Sequence, residues 1–352
     1  MIGQTAFISG SKVGELEERL AEFCGVRNCV TCGSGTDALL LPLMAWGIEK
    51  GDAVFVPDFT FFATAEVVAR LGATPVFVDI EPDSFNMRAG ALEQAIERVK
   101  VQGKLTPKAI IPVDLFGQPA KYPALEQIAK AHGLYLLEDA AQGFGGAIGE
   151  KRACSFGDAA ATSFFPAKSL GCYGDGGAVF TNDDALAQFI RSAAVHGRGT
   201  DKYDNVRVGM NSRLDTIQAA ILLPKFAALR DYELAQINAA ARQYNKLLGG
   251  AVQTPKIHTG YFSSYAQYSI LLQDSQQRSF VMDALRVAGI PSNIYYRKPL
   301  HSQPVFAGLE NSAADFPVSL DVCDRILSLP IHPYLDKTTI AYVADTITKA
   351  IG

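Results

Sequence analysis

Lys168 lies in Ser163-Phe-Phe-Pro-Ala-Lys168-Ser-Leu-Gly171, just ahead of the glycine turn Gly174-Asp-Gly-Gly177. Aromatic, proline and glycine neighbours withdraw an amine from water. Desolvation lowers its pKa, and a neutral amine attacks a carbonyl. Upstream, the apolar run Leu134-Tyr-Leu-Leu137 ends in Glu138-Asp139-Ala-Ala-Gln142. A carboxylate at the end of such a run can keep a heterocyclic nitrogen protonated. An imine-forming lysine and an aspartate for a pyridinium nitrogen are the least a protein must supply for pyridoxal phosphate (PLP) chemistry. Each residue also has a plainer reading. Lys168 can be an exposed tether in a loop, and Asp139 can cap a helix beginning at Ala-Ala-Gln. Glu138 competes with Asp139 for the acid's role.

Three other segments bear on the same chemistry. Gly33-Ser-Gly-Thr36 falls between a strand at Val30–Cys32 and a helix at Asp37–Ala45. Small residues let the backbone approach an anion, and the helix's free N–H groups and dipole favour a phosphate. The spacing is not G-x-G-x-x-G, which argues against a dinucleotide fold and a dehydrogenase. Ser163 is placed to add a hydroxyl to such a cradle. In Pro57-Asp-Phe-Thr-Phe61-Phe-Ala-Thr64 an aromatic can stack on a planar ring. Taken singly, these are also an ordinary turn glycine, a small core residue and a core aromatic. Together, glycine turn, aromatic, aspartate, serine and lysine all follow strands, and so predict one ligand site at the carboxyl ends of a sheet.

The positioning elements read as alternating short apolar runs and amphipathic stretches. Strands are expected at Cys29–Cys32, Ala53–Val56, Pro75–Val78, Ala109–Val113, Leu134–Glu138, Ala160–Ser163 and Gly177–Thr181. Helices are expected at Gly14–Phe23, Thr36–Trp46, Ala63–Leu71, Ala91–Arg98 and Pro123–Ala131. This is an α/β pattern: a mostly parallel seven-stranded sheet with helices on both faces. A long helical stretch, Ile217–Leu248, should kink or break at Pro224. A strand at Tyr265–Leu272 and helices at Arg278–Ala288 and Lys337–Ile351 suggest a small α+β domain. The expected division is 1–215 (large domain), 216–250 (connecting helix) and 251–352 (small domain). A helix so near the start suggests that a further N-terminal segment precedes it.

The chain of 352 residues is 48% apolar with a net charge of −4, which fits a large core. There is no basic stripe for nucleic acid, no polybasic arm for a membrane surface and no membrane-length apolar run. No secretory signal is evident, so a cytoplasmic enzyme is expected. Cys24, Cys29 and Cys32 have a C-x4-C-x2-C spacing known from iron–sulfur proteins. No fourth ligand accompanies them, and buried free thiols are expected, with no metal.

Gly33–Leu39, Pro57–Thr64, Glu138–Gln142, Ser163–Gly177 and Asn211-Ser-Arg-Leu-Asp-Thr-Ile-Gln-Ala-Ala220 together resemble the DegT/DnrJ/StrS sugar aminotransferases, in order and spacing, over nearly the whole chain. The resemblance implies the type I PLP-dependent transferase fold and a homodimer with shared active sites. It gives Lys168 the covalent hold on the cofactor and the later proton shuttle. Asp139 binds the pyridinium nitrogen, Gln142 lies near the ring and its 3′-oxygen, and Phe61 stacks on it. Gly35, Thr36 and Ser163 hold the phosphate, and Asn211 reaches it from the partner subunit. Arg213, Tyr296 and His332 fall to the substrate, with His196 also nearby.

The implied reaction is ping-pong: L-glutamate gives its amine and leaves as 2-oxoglutarate, and a keto sugar on a nucleotide then receives it. Arg207–Asp215, Tyr265-Ala-Gln-Tyr268 and Leu329–Leu335 resemble most the branch that aminates C3 of a 3-keto UDP-N-acetylglucosaminuronic acid for O-antigen and other surface polysaccharide. Arg213 suits the uronate. Tyr295-Tyr296-Arg297 departs from that branch's His-Tyr. The rivals are a 4-keto UDP- or dTDP-hexose aminotransferase, a dehydratase (disfavoured because it replaces the lysine with histidine) and a non-catalytic PLP-binding regulator.

Overall fold

The computed structural model describes residues 5–201, 203–309 and 311–352. Seven strands form the main sheet: β1 (Asn28–Cys32), β2 (Asp52–Pro57), β3 (Thr74–Val78), β4 (Thr106–Ile110), β5 (Tyr135–Asp139), β8 (Ala159–Ser163) and β9 (Gly177–Thr181). A short hairpin, β6 (Ala147–Ile148) and β7 (Lys151–Arg152), interrupts the series. The sheet order is β1-β9-β8-β5-β4-β2-β3, and β9 alone runs against its neighbours. Strands such as β2 are buried along their whole length, as their unbroken apolar character requires when helices cover both faces. The covering helices in this part of the chain are α1 (Ser11–Cys24), α2 (Gly35–Ala45), α3 (Ala63–Arg70), α4 (Ala89–Gln102), α5 (Tyr122–His132) and α6 (Asp184–Ala193).

Where the structure departs from the sequence expectation, the cause is local. β4 begins three residues earlier than expected and stops at Ile110. Pro112 has no N–H to continue the ladder, and Val113 rejoins only through an isolated parallel bridge to Asp139. The long helix does not break at Pro224. α7 (Thr216–Ala228) runs through it, held by buried Leu222, Leu223 and Phe226 on either side. The irregularity comes later, as a π turn at Leu229–Glu233 before α8 (Leu234–Leu248). Apolar packing thus outweighs one missing hydrogen bond. Further on, the expected strand Tyr265–Leu272 is shorter, as β11 (Tyr268–Leu271), following a two-residue β10 (Tyr261–Phe262). It pairs antiparallel with β12 (Ile326–Leu329).

Around that pair lie α9 (Ser275–Val287), α10 (Pro317–Arg325) and α11 (Lys337–Ile351). Tyr244, Tyr268, Ile270, Val281, Leu327 and Ile347 form their common core. Cys24, Cys29, Cys32, Cys154, Cys172 and Cys323 are free and buried. Among the described residues no helix is long and apolar enough to cross a membrane, and no group of three or more His, Cys, Asp or Glu is placed to hold a metal.

Candidate active site

β1, β2, β5 and β8 run in the same direction, so the loops after them meet at one edge of the sheet. There they line a cavity of about 560 Å³ with Gly35 and Thr36, Thr60 and Phe61, Asp139 and Gln142, and Ser163 and Lys168. Gln267, Tyr295 and Tyr296 close it from the C-terminal part of the chain.

Strand alternation separates the two acids at the end of β5. Glu138 is fully buried and accepts the backbone N–H groups of Cys154 (2.7 Å) and Phe156 (2.8 Å), away from the cavity. Asp139 faces the cavity. Its Oδ2 accepts the Thr64 hydroxyl at 2.9 Å, and its Oδ1 accepts the Ala141 N–H at 3.2 Å. The expected helix N-cap is not formed, because residues 141–145 make a turn and not a helix; Asp139 holds the Ala141 N–H of that turn and lines the cavity. Burial raises its pKa. The Thr64 and Ala141 hydrogen bonds and the Lys168 charge act the other way and favour the carboxylate.

Lys168 sits in a loop folded back on itself: its N–H donates to Phe165 O (2.9 Å), and Cys172 N–H donates to Phe164 O (2.8 Å). The side chain is a cavity wall and not an exposed tether. Burial lowers the pKa of its amine, and the Asp139 charge opposes part of that shift. The amine is thus easier to deprotonate than a free lysine, with a carboxylate across the same space.

The cradle depends on two glycines. A Cβ on Gly35 would stand 2.6 Å from Ser163 Cβ, and one on Gly177 would stand 2.4 Å from Ser34 O. Only glycine lets the start of α2 press against the ends of β8 and β9. Ser34 caps α2 by accepting the Asp37 N–H at 3.1 Å. The N–H groups of Gly35 and Thr36 have no acceptor within the helix. Ser163 Oγ accepts Phe165 N–H at 3.2 Å, which leaves its own proton to donate. This close-packed donor set fits the phosphate of PLP, and Asp139 and Lys168 fit its ring and aldehyde ends.

Gln142 and Tyr296 meet directly: Gln142 Nε2 donates to the Tyr296 hydroxyl at 3.1 Å, while Phe116 N–H fixes Gln142 Oε1 at 2.8 Å. Phe61 lines the cavity with 57% of its surface exposed. Three expected site residues and His196 lie outside the lining. Asn211 is exposed in an isolated bridge to Val195. Arg213 is half-buried, and its Nε is buried without an acceptor. His332 lines a neighbouring cavity of about 500 Å³ that shares Lys168 with the first. Thr64 and Gln267 were not singled out from sequence. Thr64 reads as one more β-branched residue opening a helix, and only its contact with Asp139 gives it significance.

Behind Asp139 lies a buried acid pair. Asp114 and Glu138 are both fully buried, and among the described residues Asp114 Oδ2 has no hydrogen-bond partner. Asp114 Oδ1 accepts Ala120 N–H (3.0 Å) and the Tyr122 hydroxyl (2.8 Å). Burial pushes Asp114 up to about 7 and also raises Glu138. A raised carboxyl gives stability at low pH that is lost as pH climbs to the folded-state value. Asp114→Asn removes the buried carboxyl that must ionise as pH rises. Between about pH 5 and 7 the wild type is expected to lose up to ~1.4 kcal/mol per pH unit relative to the variant, levelling off above that. Denaturant midpoints of both proteins across this range check it.

A type I PLP-dependent transferase architecture, with an aminotransferase site at the carboxyl ends of its sheet, is the class that fold and cavity define. The model of the DegT/DnrJ/EryC1/StrS aminotransferase family matches residues 1–348, and the chain belongs to that family. It is 46% identical over 346 residues to UDP-2-acetamido-2-deoxy-3-oxo-D-glucuronate aminotransferase of Pseudomonas aeruginosa, covering 97% of this chain and 92% of the relative. It is 40% identical to UDP-N-acetyl-3-dehydro-alpha-D-glucosamine 3-aminotransferase of Acidithiobacillus ferrooxidans, covering 100% and 92%. The crystal structure of a DegT DnrJ EryC1 StrS aminotransferase from Brucella abortus superposes with a TM-score of 0.96 at 50% identity, covering 100% and 93%. The protein is a PLP-dependent sugar aminotransferase.

Proposed function

We propose that this enzyme transfers the amine of L-glutamate to C3 of a 3-keto UDP-N-acetylglucosaminuronic acid, a step toward bacterial surface polysaccharide such as O-antigen. The observation that carries the chemistry is the lysine amine, lowered by burial, in one cavity with the Asp139 carboxylate and the Gly35–Thr36 cradle. The 46% identity to the Pseudomonas enzyme, whose name states that substrate, supports the sugar.

When bound, the cofactor supplies an aldehyde that exchanges amines and a ring that takes up electron density. Gly35 N–H, Thr36 N–H and the Ser163 hydroxyl hold its phosphate. Asp139 keeps the ring nitrogen protonated, and Thr64 keeps Asp139 oriented. Phe61 would stack on the ring, and Gln142, braced by Tyr296, would face the 3′-oxygen. Lys168 Nζ anchors the cofactor. As a neutral base, Lys168 Nζ would take the proton from the substrate's amine-bearing carbon and return it to the cofactor-side carbon across the same nitrogen. Run forward with glutamate and backward with the keto sugar, the same proton movement completes the ping-pong cycle.

The active form is proposed to be a cytoplasmic homodimer. Phe61 and Phe165 rim the cavity at 57% and 51% exposure, more apolar surface than an isolated pocket mouth needs. Asn211 and Arg213 lie outside this chain's own cavity. Both facts fit a second copy that covers the rim and reaches the phosphate with Asn211 and the uronate with Arg213. Tyr296 and His332 complete the substrate contacts.

The test loads the enzyme with pyridoxamine phosphate and offers 3-keto and 4-keto UDP- and dTDP-sugars, with and without a C6 carboxylate. Return of the aldehyde-form spectrum with the 3-keto UDP-uronate supports the reading. Return only with 4-keto sugars refutes it, and equal rates without the carboxylate remove the uronate from it.

A further inference from the structure

We propose that Asp58 and His301 are a positioning pair: their buried hydrogen bonds hold the Tyr295-Tyr296 wall of the catalytic cavity in register with Lys168 for the keto sugar. This rests on the reading above that Tyr296 touches the sugar.

The pair joins residues 243 positions apart in the chain. Asp58 is fully buried just after β2 and two residues before Thr60. Its Oδ1 accepts the His301 N–H at 2.8 Å, its Oδ2 lies 2.7 Å from His301 Nδ1, and its carbonyl accepts the Leu300 N–H at 2.8 Å. The His301 side chain is 7% exposed and stacks on Phe316 at 4.6 Å, with Nε2 3.0 Å from Ser302 Oγ. A carboxyl group withdrawn from water needs partners, and His301 meets both oxygens of this one.

What the pair holds is a short strap. Residues 293–301 cross from the core around β11 and β12 to the main sheet. At one end, Asn293 and Ser328 of β12 exchange backbone hydrogen bonds of 3.1 and 2.8 Å. At the other end stands the His301–Asp58 pair. From there on, Leu300, Phe306 and Phe316 belong to the core of β2 and α2, with Val54, Val56 and Leu41. Asp79, after β3, repeats the device: its buried carboxylate accepts the N–H groups of Val318 (3.2 Å) and Ser319 (3.0 Å) and the Ser319 hydroxyl (2.8 Å). This segment is thus built onto the main sheet although its neighbours in sequence form the smaller core.

Between the two anchors, Tyr295 and Tyr296 line the cavity. Tyr296 packs edge-on against Phe59 at 5.8 Å, and its hydroxyl accepts Gln142 Nε2 at 3.1 Å. Phe59 directly follows Asp58, so clasp and tyrosine bear on one short stretch of chain. Neither Asp58 nor His301 lines the cavity, so both act through Tyr296 and not by touching a ligand. A sugar ring is stiff. If the wall shifts, the ring cannot turn its carbonyl carbon back toward Lys168, and a displacement of about 1 Å costs up to about 10² in rate. Glutamate is acyclic and adapts by rotating single bonds.

The test is a double-mutant cycle on the holoenzyme with His301→Leu and Tyr296→Phe. It reads kcat/KM for the 3-keto UDP-uronate per bound cofactor, together with the glutamate half-reaction. His301→Leu leaves Asp58 Oδ2 without its partner. Expected is a loss of about tenfold on the sugar in each single variant, about tenfold and not about 100-fold in the double, and under about threefold change on glutamate. A merely structural role would lower the loaded fraction and the melting temperature but leave these per-site constants unmoved. His301→Asn, whose amide N–H can take the place of Nδ1, should bring the sugar constant back to within about threefold of wild type. Should His301→Leu not fold, Asp58→Asn is read in the same cycle, with the same non-additivity expected. Additive losses, an unchanged sugar constant in His301→Leu, or equal losses on sugar and glutamate overturn the role of the pair while the substrate reading stands. No loss in Tyr296→Phe removes Tyr296 from the sugar, and the proposal falls with that reading.

Discussion

Lys168→Ala is expected to lower turnover by about 10⁴-fold and to abolish the near-visible absorption of lysine-bound cofactor, because one amine is proposed both to anchor the cofactor and to move the proton. A small primary amine added to the buffer should restore part of the rate, since the variant leaves room for it opposite Asp139. Lys168→Arg should not be rescued: its guanidinium fills the space and stays charged. An undiminished glutamate half-reaction in either variant would sink the assignment. A pH measurement on the wild type belongs with this prediction. Burial lowers the Lys168 pKa from its ordinary 10.5 and the Asp139 charge restores only part of it. Covalent capture of added cofactor by the apoenzyme should therefore rise with pH to a midpoint below 10.5. Removing the Asp139 charge should move that midpoint lower still.

The parts of this site that were legible in the sequence share one cause. A parallel sheet gathers its chemistry at the carboxyl ends of its strands, so Gly35, Asp139, Ser163 and Lys168 each stand just after an apolar run. Their residue types are also awkward for their surroundings, as a lysine between aromatics is. Thr64 and Gln267 carry no such mark. A threonine at a helix start and a glutamine between tyrosines are ordinary, and only the Thr64–Asp139 hydrogen bond and the place of Gln267 in the cavity wall distinguish them. The same limit applied to the helices. Pro224 is a strong local signal for a break, yet buried Leu223 and Phe226 hold α7 straight through it. The π turn at Leu229–Glu233 has no comparable local signature, and it brings Glu233 to the cavity behind Lys168. Asn211, Arg213 and His332 are a third kind. Their sequence motifs are plain, but a single chain does not bring them to the cavity. The roles proposed for them rest on a second copy or on the neighbouring space.

Glu138 and Asp139 are adjacent carboxylates on one strand, and their variants should fail in different ways. Asp139→Asn keeps its oxygen on the Ala141 N–H and lets its NH₂ donate to Thr64, whose hydroxyl can turn to Thr60, but it loses the negative charge proposed to keep the cofactor's ring nitrogen protonated. Removing one preorganised electrostatic group of this kind costs about 10²–10³ in kcat, and the fold should be untouched. Glu138→Gln does the reverse. The shortened acceptor set would offer one amide oxygen to two backbone donors, Cys154 and Phe156, and the new NH₂ would face an N–H where a carboxylate oxygen now accepts. That leaves a buried donor unsatisfied, at a cost of about 1–3 kcal/mol. Lower thermal stability is expected, with near-normal kcat in whatever remains folded. Thr64→Val tests the link between the two effects. It strips Asp139 of its 2.9 Å hydroxyl donor without touching Glu138, so it should lower kcat more mildly than Asp139→Asn. If Glu138→Gln proved the catalytic loss and Asp139→Asn the structural one, strand β5 would present its acids the other way round, and the cofactor would have to bind on the opposite face of the sheet.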